Sequence, residues 1–388
     1  MDPVYLDHNA TTPLDPRVRD AMLPWLGARW GNPSSIHAFG RAAREAVEEA
    51  RERVATLLGA RPAEVVFTAS GTEANNTVLS TVAGRAGGQG HLVLSSLEHP
   101  SVRAAAARLE EGGMAVDRVP PGADGVVDPA AVEAALRPDT RLVCLMRANN
   151  ELGTLQPVAE VAARCRERGV PVLCDAVQAV GKVPVGVAEL GVDYLTLGGH
   201  KFHGPPGVAA LWARSGSPVA PLLVGGSQER RRRASTENVP GVVGLGEAAA
   251  LATAELAERG RHLAALRDRF EAGVRRIPGT RLHCTGAPRL PNTSHLAFDG
   301  VEGEALLIRL DLAGFAVSTG SACASGAVEP SPVLAALGLS AAEALGSLRV
   351  SFGMTNREEE VNRFIAALEG EVAALRRLAG PPWAEAAR

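Results

Sequence analysis

The fold class follows from one stretch of the chain, residues 170–201, with the sequence VPVLCDAVQAVGKVPVGVAELGVDYLTLGGHK. Its two short apolar runs, at 170–174 and 193–197, are typical of buried strands. A chemically capable residue follows each run, Asp175 after the first and Lys201 shortly after the second. Because ligands in open α/β sheets bind beyond the carboxyl ends of the strands, this stretch predicts both a sheet and the edge where a site belongs.

The same alternation continues on both sides of this stretch. An amphipathic helix begins near Arg41 and ends at Gly59. We predict a mostly parallel, doubly wound sheet of the α/β class with helices between the strands. Further strands are predicted at 64–68, 91–95, 141–146 and 208–212, and helices at 72–82 and 101–111.

A second, smaller unit follows. A long helical pattern at 246–277 precedes strands near 295–298 and 348–352 and a last helix at 358–378, which predicts an α+β unit without repeats. We expect a large domain over 15–258, and a small domain formed by 1–14 and 259–388.

Composition excludes several classes of protein. The 388 residues are 46% hydrophobic and 21% charged, so the chain is not disordered as a whole. A net charge of −3 shows no footprint for direct nucleic-acid binding. No apolar run approaches the roughly 18 residues of a spanning helix, and the N-terminus lacks the pattern of a signal peptide. We therefore expect a cytoplasmic protein without membrane contact.

The basic residues are unevenly divided. Of 40 basic residues only Lys182 and Lys201 are lysines, which leaves 38 arginines. Lysine can form a Schiff base and arginine cannot, and a surface position would tolerate arginine. The scarcity therefore indicates that Lys201 is a reactive amine. Lys182 has no role in this interpretation, so Lys182→Arg is expected to have little effect.

Polar residues follow other predicted strands too, and each has two interpretations. The segment Ser70-Gly71-Thr72 opens a helix, where it is either a phosphate site or a plain N-cap. His99 is either functional or structural, and Asp175 either functional or a helix cap. Taken together with the amine, these groups form the set that pyridoxal phosphate requires: a phosphate cradle, an aromatic ring, an anion for the ring nitrogen and a lysine.

A second group of candidate functional residues surrounds one cysteine, Cys323. Cys323 lies in STGSACASG, residues 318–326, where small side chains suit an exposed and mobile nucleophile. The remaining cysteines form no CxxC pair, so we predict neither a disulfide framework nor a metal site. They are expected to be packing residues: Cys144, Cys165, Cys174 and Cys284.

The motifs together resemble the pyridoxal-phosphate cysteine desulfurases of the NifS/IscS type, in the class V aminotransferase group of fold type I. The resemblance runs over nearly the whole chain, and the loop around Cys323 is similar to the long-loop subgroup of that family. The motifs that support the resemblance are YLDHNATTP, GNPSSIHAFG, SGTEANN, EHPSV, NNELGTLQP, DAVQAVGK, GGHKFHGPPG, GGSQE, STENVPG, STGSACASGAVEPSPVL and SLRVSFG.

The resemblance implies a pyridoxal 5′-phosphate site. Lys201 would be the Schiff-base lysine, and Asp175 would pair with the ring nitrogen. His99 would stack on the ring and move protons, and Gln178 would bond the ring hydroxyl. The phosphate would be held by the remaining group of residues: Gly71, Thr72, His200 and, from the neighbouring subunit of a homodimer, Thr236.

The resemblance also implies the reaction. Asn150, which is also placed at the cofactor, and Arg349 would bind the carboxylate of L-cysteine, and Cys323 would accept its sulfur as a persulfide while alanine leaves. The sulfur would pass to an acceptor protein, either an iron–sulfur scaffold or a carrier for tRNA or cofactor thiolation. No structural metal is expected, although Cys323 could contact an iron–sulfur cluster during transfer.

Three positions depart from the family pattern. A serine that often binds phosphate is Gly198 here, a lysine in the HGPKG motif is Pro206, and the glycine before Thr236 is Ser235. Two alternatives also stay open: a related enzyme such as a selenocysteine lyase or an aminotransferase, and a non-catalytic protein that keeps the fold.

Overall fold

Twelve short strands are present in the part of the chain that the computed structural model describes, residues 3–319 and 330–379. All six strands predicted for the large unit form, within two residues of the expected ends. The strands are β1 (Val4–Tyr5), β2 (Val65–Thr68), β3 (His91–Ser95), β4 (Ala115–Val119), β5 (Thr140–Cys144), β6 (Val172–Asp175), β7 (Tyr194–Gly198), β8 (Ala209–Ala213), β9 (Thr280–Leu282), β10 (Thr293–Phe298), β11 (Phe315–Ala316) and β12 (Ser347–Ser351).

Helices alternate with these strands. The helix predicted to end at Gly59 does so, with Gly59 in the left-handed conformation at φ 63°. The helices are α1 (Pro16–Leu26), α2 (Ala38–Leu58), α3 (Gly71–Arg85), α4 (Pro100–Glu111), α5 (Pro129–Ala134), α6 (Val158–Glu167), α7 (Val187–Leu190), α8 (Gln228–Arg231), α9 (Val239–Val274), α10 (Gly303–Leu312), α11 (Pro332–Ala336), α12 (Ala341–Leu345) and α13 (Glu358–Ala379).

Seven strands form the main sheet, in the order β2-β8-β7-β6-β5-β3-β4. Only β8 runs against its neighbours, so the sheet is mostly parallel and the predicted α/β class is confirmed. Since β5, β6 and β7 are parallel neighbours, the residues that follow them meet at one edge.

The second half of the chain builds two small sheets. Strand β10 pairs antiparallel with β9 and β12, and β1 near the N-terminus pairs parallel with β11. Helix α9 packs at its start into the core of the large sheet and at its end into a separate apolar cluster. The predicted boundary at 258/259 falls inside this helix, and the division into two domains stays a prediction.

Several elements were not predicted from the sequence, and each has a weak pattern. Helix α1 begins at Pro16 and contains Pro24, which is unusual inside a helix. Strand β4 lies at the sheet edge and is only partly buried, so charged residues interrupt its apolar pattern. Helix α10 buries only three of its ten residues.

One helix of the described chain, α9, is long and apolar enough by length and composition to cross a membrane. The sequence pattern did not predict this helix as a possible membrane span. Half of its most apolar stretch is buried inside the protein, as in the core helix of a globular fold.

Candidate active site

A cavity of about 510 Å³ opens at the edge of the main sheet where the parallel strands end. It is lined by residues from the N-terminal segment, from the starts of α3 and α4, and from the three-stranded sheet that contains β12. The sequence predicted nine of the lining residues, and the fold brings them together: Gly71, Thr72, His99, Asn150, Asp175, Gln178, His200, Lys201 and Arg349.

Lys201 lies in a short turn directly after β7. Its Nζ donates hydrogen bonds to the backbone oxygens of Asn9, at 2.7 Å, and Ala10, at 2.8 Å. Burial, together with the nearby guanidinium of Arg349, lowers the pKa of Lys201 to about 8. A fraction of this amine is therefore unprotonated near neutral pH, as a nucleophile or base requires.

Asp175 ends β6 and is almost fully buried. Its Oδ2 accepts a hydrogen bond from Asn75 Nδ2 at 2.8 Å, and its Oδ1 accepts one from the backbone N–H of Val177 at 3.0 Å. Asn75 is itself fixed, since its Oδ1 accepts from the hydroxyl of Thr196 at 2.9 Å. Asp175 therefore caps the local turn and also presents a positioned carboxylate to the cavity.

His99 is the N-cap of α4, so its structural interpretation is correct. Its Nδ1 accepts a hydrogen bond from the backbone N–H of Ser101 at 3.1 Å, which places the proton of the neutral ring on Nε2. Burial lowers the pKa of His99, and the positive charges of Lys201 and Arg103 act in the same direction. The ring also faces the cavity, so the cap and the functional interpretation are compatible.

The start of α3 has the geometry of an anion site. Ser70 caps the helix by accepting from the backbone N–H of Glu73 at 3.1 Å, which leaves the first N–H groups, including those of Gly71 and Thr72, at the cavity wall. A Cβ on Gly71 would lie 2.8 Å from Cγ2 of Val177, so any side chain at position 71 would force one of the two residues to shift.

His200 lies at the same cavity. Its Nδ1 is 3.1 Å from the hydroxyl of Thr11. Burial, with Lys201 and Lys182 nearby, lowers the pKa of His200 to about 4, so the ring is neutral when no anion is present.

Arg349, on β12, also lines the cavity. Its Nη1 donates to the backbone oxygen of Asn150 at 3.0 Å, and its Nη2 to Asp7 Oδ1 at 2.5 Å. Its Nε is buried and has no hydrogen-bond partner among the described residues. The charged guanidinium group lines the cavity, where a carboxylate could pair with it.

The structure does not place two of the predicted residues at this cavity. Thr236 lines a separate cavity of about 240 Å³, so it does not reach the cavity that its own chain forms around Lys201. Cys323 lies outside the described residues, but Val317, Ser318 and Thr319, which precede it, line the main cavity.

The other cysteines behave as packing residues. Cys144, Cys165 and Cys174 are buried and Cys284 is partly buried. Burial raises the pKa of Cys165 to about 12 and that of Cys284 to about 11, so neither is a ready thiolate. Within the described ranges no cluster of residues could hold a metal ion.

Sequence reasoning missed the residues that hold the site together. Asp7 and Asn9 come from the N-terminal segment, Asn75 from the middle of α3, and Ser101 from α4. The motifs YLDHNATTP and SGTEANN contain three of them, but nothing in the sequence showed that they contact Arg349, Lys201 and Asp175.

Comparisons with known proteins agree with this geometry. The Aminotransferase class-V family profile matches residues 4–364. The chain is 45% identical to a cysteine desulfurase IscS of Dictyoglomus turgidum, over 96% of this chain and 95% of that one. Among solved structures, a NifS-like protein superposes with a TM-score of 0.90 at 37% identity, covering 96% of this chain and all of the other. SspA in complex with cysteine superposes with a TM-score of 0.81 at 34% identity, covering 90% and 98% of the two chains.

Proposed function

Because this chain belongs to the class-V aminotransferase family and is a cysteine desulfurase, we propose that it binds pyridoxal 5′-phosphate at Lys201 and passes the sulfur of L-cysteine through Cys323. The observation that carries the proposal is the convergence of nine residues, predicted from separate motifs, on one cavity.

The residues of the cavity fit the cofactor. Gly71 and Thr72 at the start of α3 would hold the phosphate, with His200 beside them. Because Gly71 has no side chain, its backbone lies close to Val177 and its N–H group stays open to the cavity. Asp175 would pair with the ring nitrogen and Lys201 would hold the aldehyde carbon. When bound, pyridoxal phosphate stores the electron pair that remains at the substrate Cα after its proton leaves.

The chain's own groups would handle substrate and protons. Arg349 and Asn150 would bind the carboxylate of cysteine, and their place in the cavity wall supports this role. Lys201, with its lowered pKa, would take the Cα proton and return it. His99 would lie against the ring, held in one tautomer by the backbone of Ser101.

Sulfur removal would take place at Cys323. Its thiolate would attack the sulfur of the substrate, so that a sulfur–sulfur bond forms as the carbon–sulfur bond breaks. The products would be alanine and a persulfide on Cys323. The complex of the neighbour SspA with cysteine supports cysteine as the substrate.

The acceptor of the sulfur would be a second protein, either an iron–sulfur scaffold or a thiolation carrier. The name IscS of the relative in Dictyoglomus turgidum supports this class of partner. Free cysteines at 144, 165, 174 and 284 are compatible with a reducing compartment, which supports a cytoplasmic location.

A homodimer would complete the site. Thr236 lines a cavity separate from the one around Lys201, and several large apolar side chains are exposed on the surface. Leu223 accepts a backbone hydrogen bond from Ala234, two residues before Thr236. The exposed side chains are Leu23, Leu26, Trp30, Ile36, Phe39, Leu222, Leu223 and Val224.

The relatives favour the desulfurase over the two enzymatic alternatives, a selenocysteine lyase and an aminotransferase. The deciding experiment is an absorbance spectrum of the purified protein before and after adding L-cysteine, with sulfide and alanine assayed together. We expect a yellow protein whose spectrum changes and which forms alanine. A colourless protein would contradict the cofactor, and formation of a keto acid would favour an aminotransferase.

A further inference from the structure

Lys182, the second of the two lysines, is buried beside the proposed cofactor site, with only 7% of its surface exposed. Its Nζ donates to the side-chain oxygen of Gln178 at 2.8 Å and to the backbone oxygen of the same residue at 3.1 Å. Lys182 is therefore buried against Gln178, whereas Lys201 is half-buried and lines the cavity.

The amide of Gln178 is held at both ends. Its Oε1 accepts from Lys182, and its Nε2 donates to the backbone oxygen of Asn9 at 2.7 Å. The same Asn9 oxygen accepts from Lys201 Nζ. A flipped amide would place its oxygen against the carbonyl oxygen of Asn9 and would lose the hydrogen bond that Oε1 accepts from Lys182, so the observed orientation is favoured.

This orientation decides what Gln178 offers a ligand. Gln178 lines the main cavity, and its Nε2 carries a second N–H that no hydrogen bond of the described residues uses. We propose that Lys182 is a positioning residue, which fixes the amide of Gln178 so that the site presents an N–H donor to the ring oxygen of the bound cofactor. The inference rests on the proposed function, in which Gln178 faces that oxygen.

The environment explains why this residue is a lysine. Burial lowers the pKa of Lys182 well below its ordinary value, and Lys201 and Arg349 add to the effect. A lysine can lose its charge there, whereas an arginine would stay charged among other cations. The expectation that Lys182→Arg has little effect therefore changes: the variant should be less stable than the wild type.

The test is a double-mutant cycle read out as the dissociation constant of pyridoxal phosphate. The four proteins are the wild type, Lys182→Met, Gln178→Ala and the double variant. We expect Lys182→Met to weaken binding by roughly five- to tenfold in the wild-type background and by less than about twofold in the Gln178→Ala background, because residues that act through one another are not additive.

A conservative variant separates positioning from packing. Lys182→Arg keeps N–H donors for Gln178, so we expect its cofactor affinity to stay within about threefold of the wild type although its Tm falls. If Lys182→Met does not fold, Lys182→Arg still tests the proposal. If Lys182→Arg bound pyridoxal phosphate as weakly as Gln178→Ala does, the proposal would be overturned.

The outcomes distinguish this inference from the proposed function. If the wild type itself does not bind pyridoxal phosphate, the proposed function fails. If the wild type binds and Lys182→Met weakens binding equally in both backgrounds, or not at all, only the positioning role of Lys182 is wrong.

Discussion

At the scale of single residues, the site separates two kinds of chemistry. Lys201 lies in a buried, cationic corner that lowers its pKa, which suits proton transfer. The described cysteines lie in apolar surroundings, and burial raises the pKa of Cys165 and of Cys284. Only Cys323 has a sequence environment of small residues, and this contrast leads to the first prediction.

Cys323→Ser should stop sulfur transfer and leave cofactor binding intact, because a hydroxyl is a far weaker nucleophile toward sulfur than a thiolate. We expect alanine formation to fall by at least roughly a hundredfold, with an unchanged cofactor spectrum. The matched controls Cys165→Ser and Cys284→Ser should keep most activity. Persulfide labelling, mapped by peptide mass, checks the site, and label on another cysteine would contradict it.

Gly198 is the position where the family often has a phosphate-binding serine. A Cβ added to Gly198 would be 3.6 Å from Val177 Cγ1 and 3.8 Å from His200 Cδ2, both ordinary contacts. We therefore expect Gly198→Ser to fold normally and to bind pyridoxal phosphate roughly three- to tenfold more tightly, through one additional hydrogen bond to a charged group. Fluorescence titration measures the dissociation constant of pyridoxal phosphate for both proteins. Weaker binding by Gly198→Ser would show that the hydroxyl cannot reach the phosphate.

Glu98 is a buried carboxyl beside His99. Its Oε1 accepts from the backbone N–H of Met146 at 2.7 Å, while its Oε2 has no partner among the described residues. Burial raises the pKa of Glu98 to about 8, and Asp175 adds to the shift. The folded protein therefore holds a proton that the unfolded chain loses near its ordinary value of 4.5.

This proton makes stability depend on pH. A raised folded-state pKa contributes stability that is complete below pH 4.5 and is lost as the pH rises through about 8. Between pH 4.5 and about 8, we expect the free energy of unfolding of the wild type to fall relative to that of Glu98→Gln by up to about 1.4 kcal/mol per pH unit. Denaturant unfolding at several pH values measures the difference, and parallel curves would mean that Glu98 is ionised in the folded state.

At the scale of elements, the packing of α2 on α9 depends on one glycine. A Cβ on Gly246 would lie 2.6 Å from both Cα and Cβ of Ala50, so the backbones of the two helices approach closely there. Farther along α9, a Cβ on Gly260 would meet nothing within 4 Å. The two glycines are therefore a matched pair in one helix.

Gly246→Ala should destabilise the protein by about 1–3 kcal/mol, because the two helices would have to separate. Gly260→Ala should instead stabilise it by up to about 1 kcal/mol, since alanine is the better helix former. Thermal unfolding of both variants tests the pair. Equal effects of the two substitutions would show that α2 and α9 adjust freely at this contact.

At the scale of the whole molecule, the exposed apolar surface around Trp30 and Phe39 has no partner within the described chain. The two rings stack with centroids 5.5 Å apart, and 64% of Trp30 and 55% of Phe39 are exposed. Exposed apolar patches of this kind mark association surfaces, and the occupant expected from the proposed homodimer is a second copy of this chain.

Trp30→Asp should convert the proposed homodimer to a monomer, because the substitution would place a charge in an apolar interface. The matched control is Leu312→Asp, since Leu312 is 84% exposed on α10. Sedimentation of both variants and the wild type gives the masses. A wild-type monomer, or a Trp30→Asp dimer, would contradict this interface.

The main sheet and the residues that gather at its ligand edge could be predicted from the sequence, because both depend on local pattern. Apolar runs such as 91–95 and 193–197 can only be buried strands in this context, and the residue after a parallel strand must reach the ligand edge. This is how Lys201, Asp175 and His99 were found. Elements with mixed burial, such as β4 and α1, escaped prediction because their patterns are weak.

Only the tertiary structure decided how distant segments complete the site. Asn9 contacts Lys201, and Asp7 contacts Arg349, across separations of 192 and 342 residues. The role inferred for Lys182 likewise depends on its burial against Gln178, which no local pattern shows. Sequence pattern determines which residues face inward in each element. The partners they meet there depend on how the sheet, the N-terminal segment and the small sheet pack together.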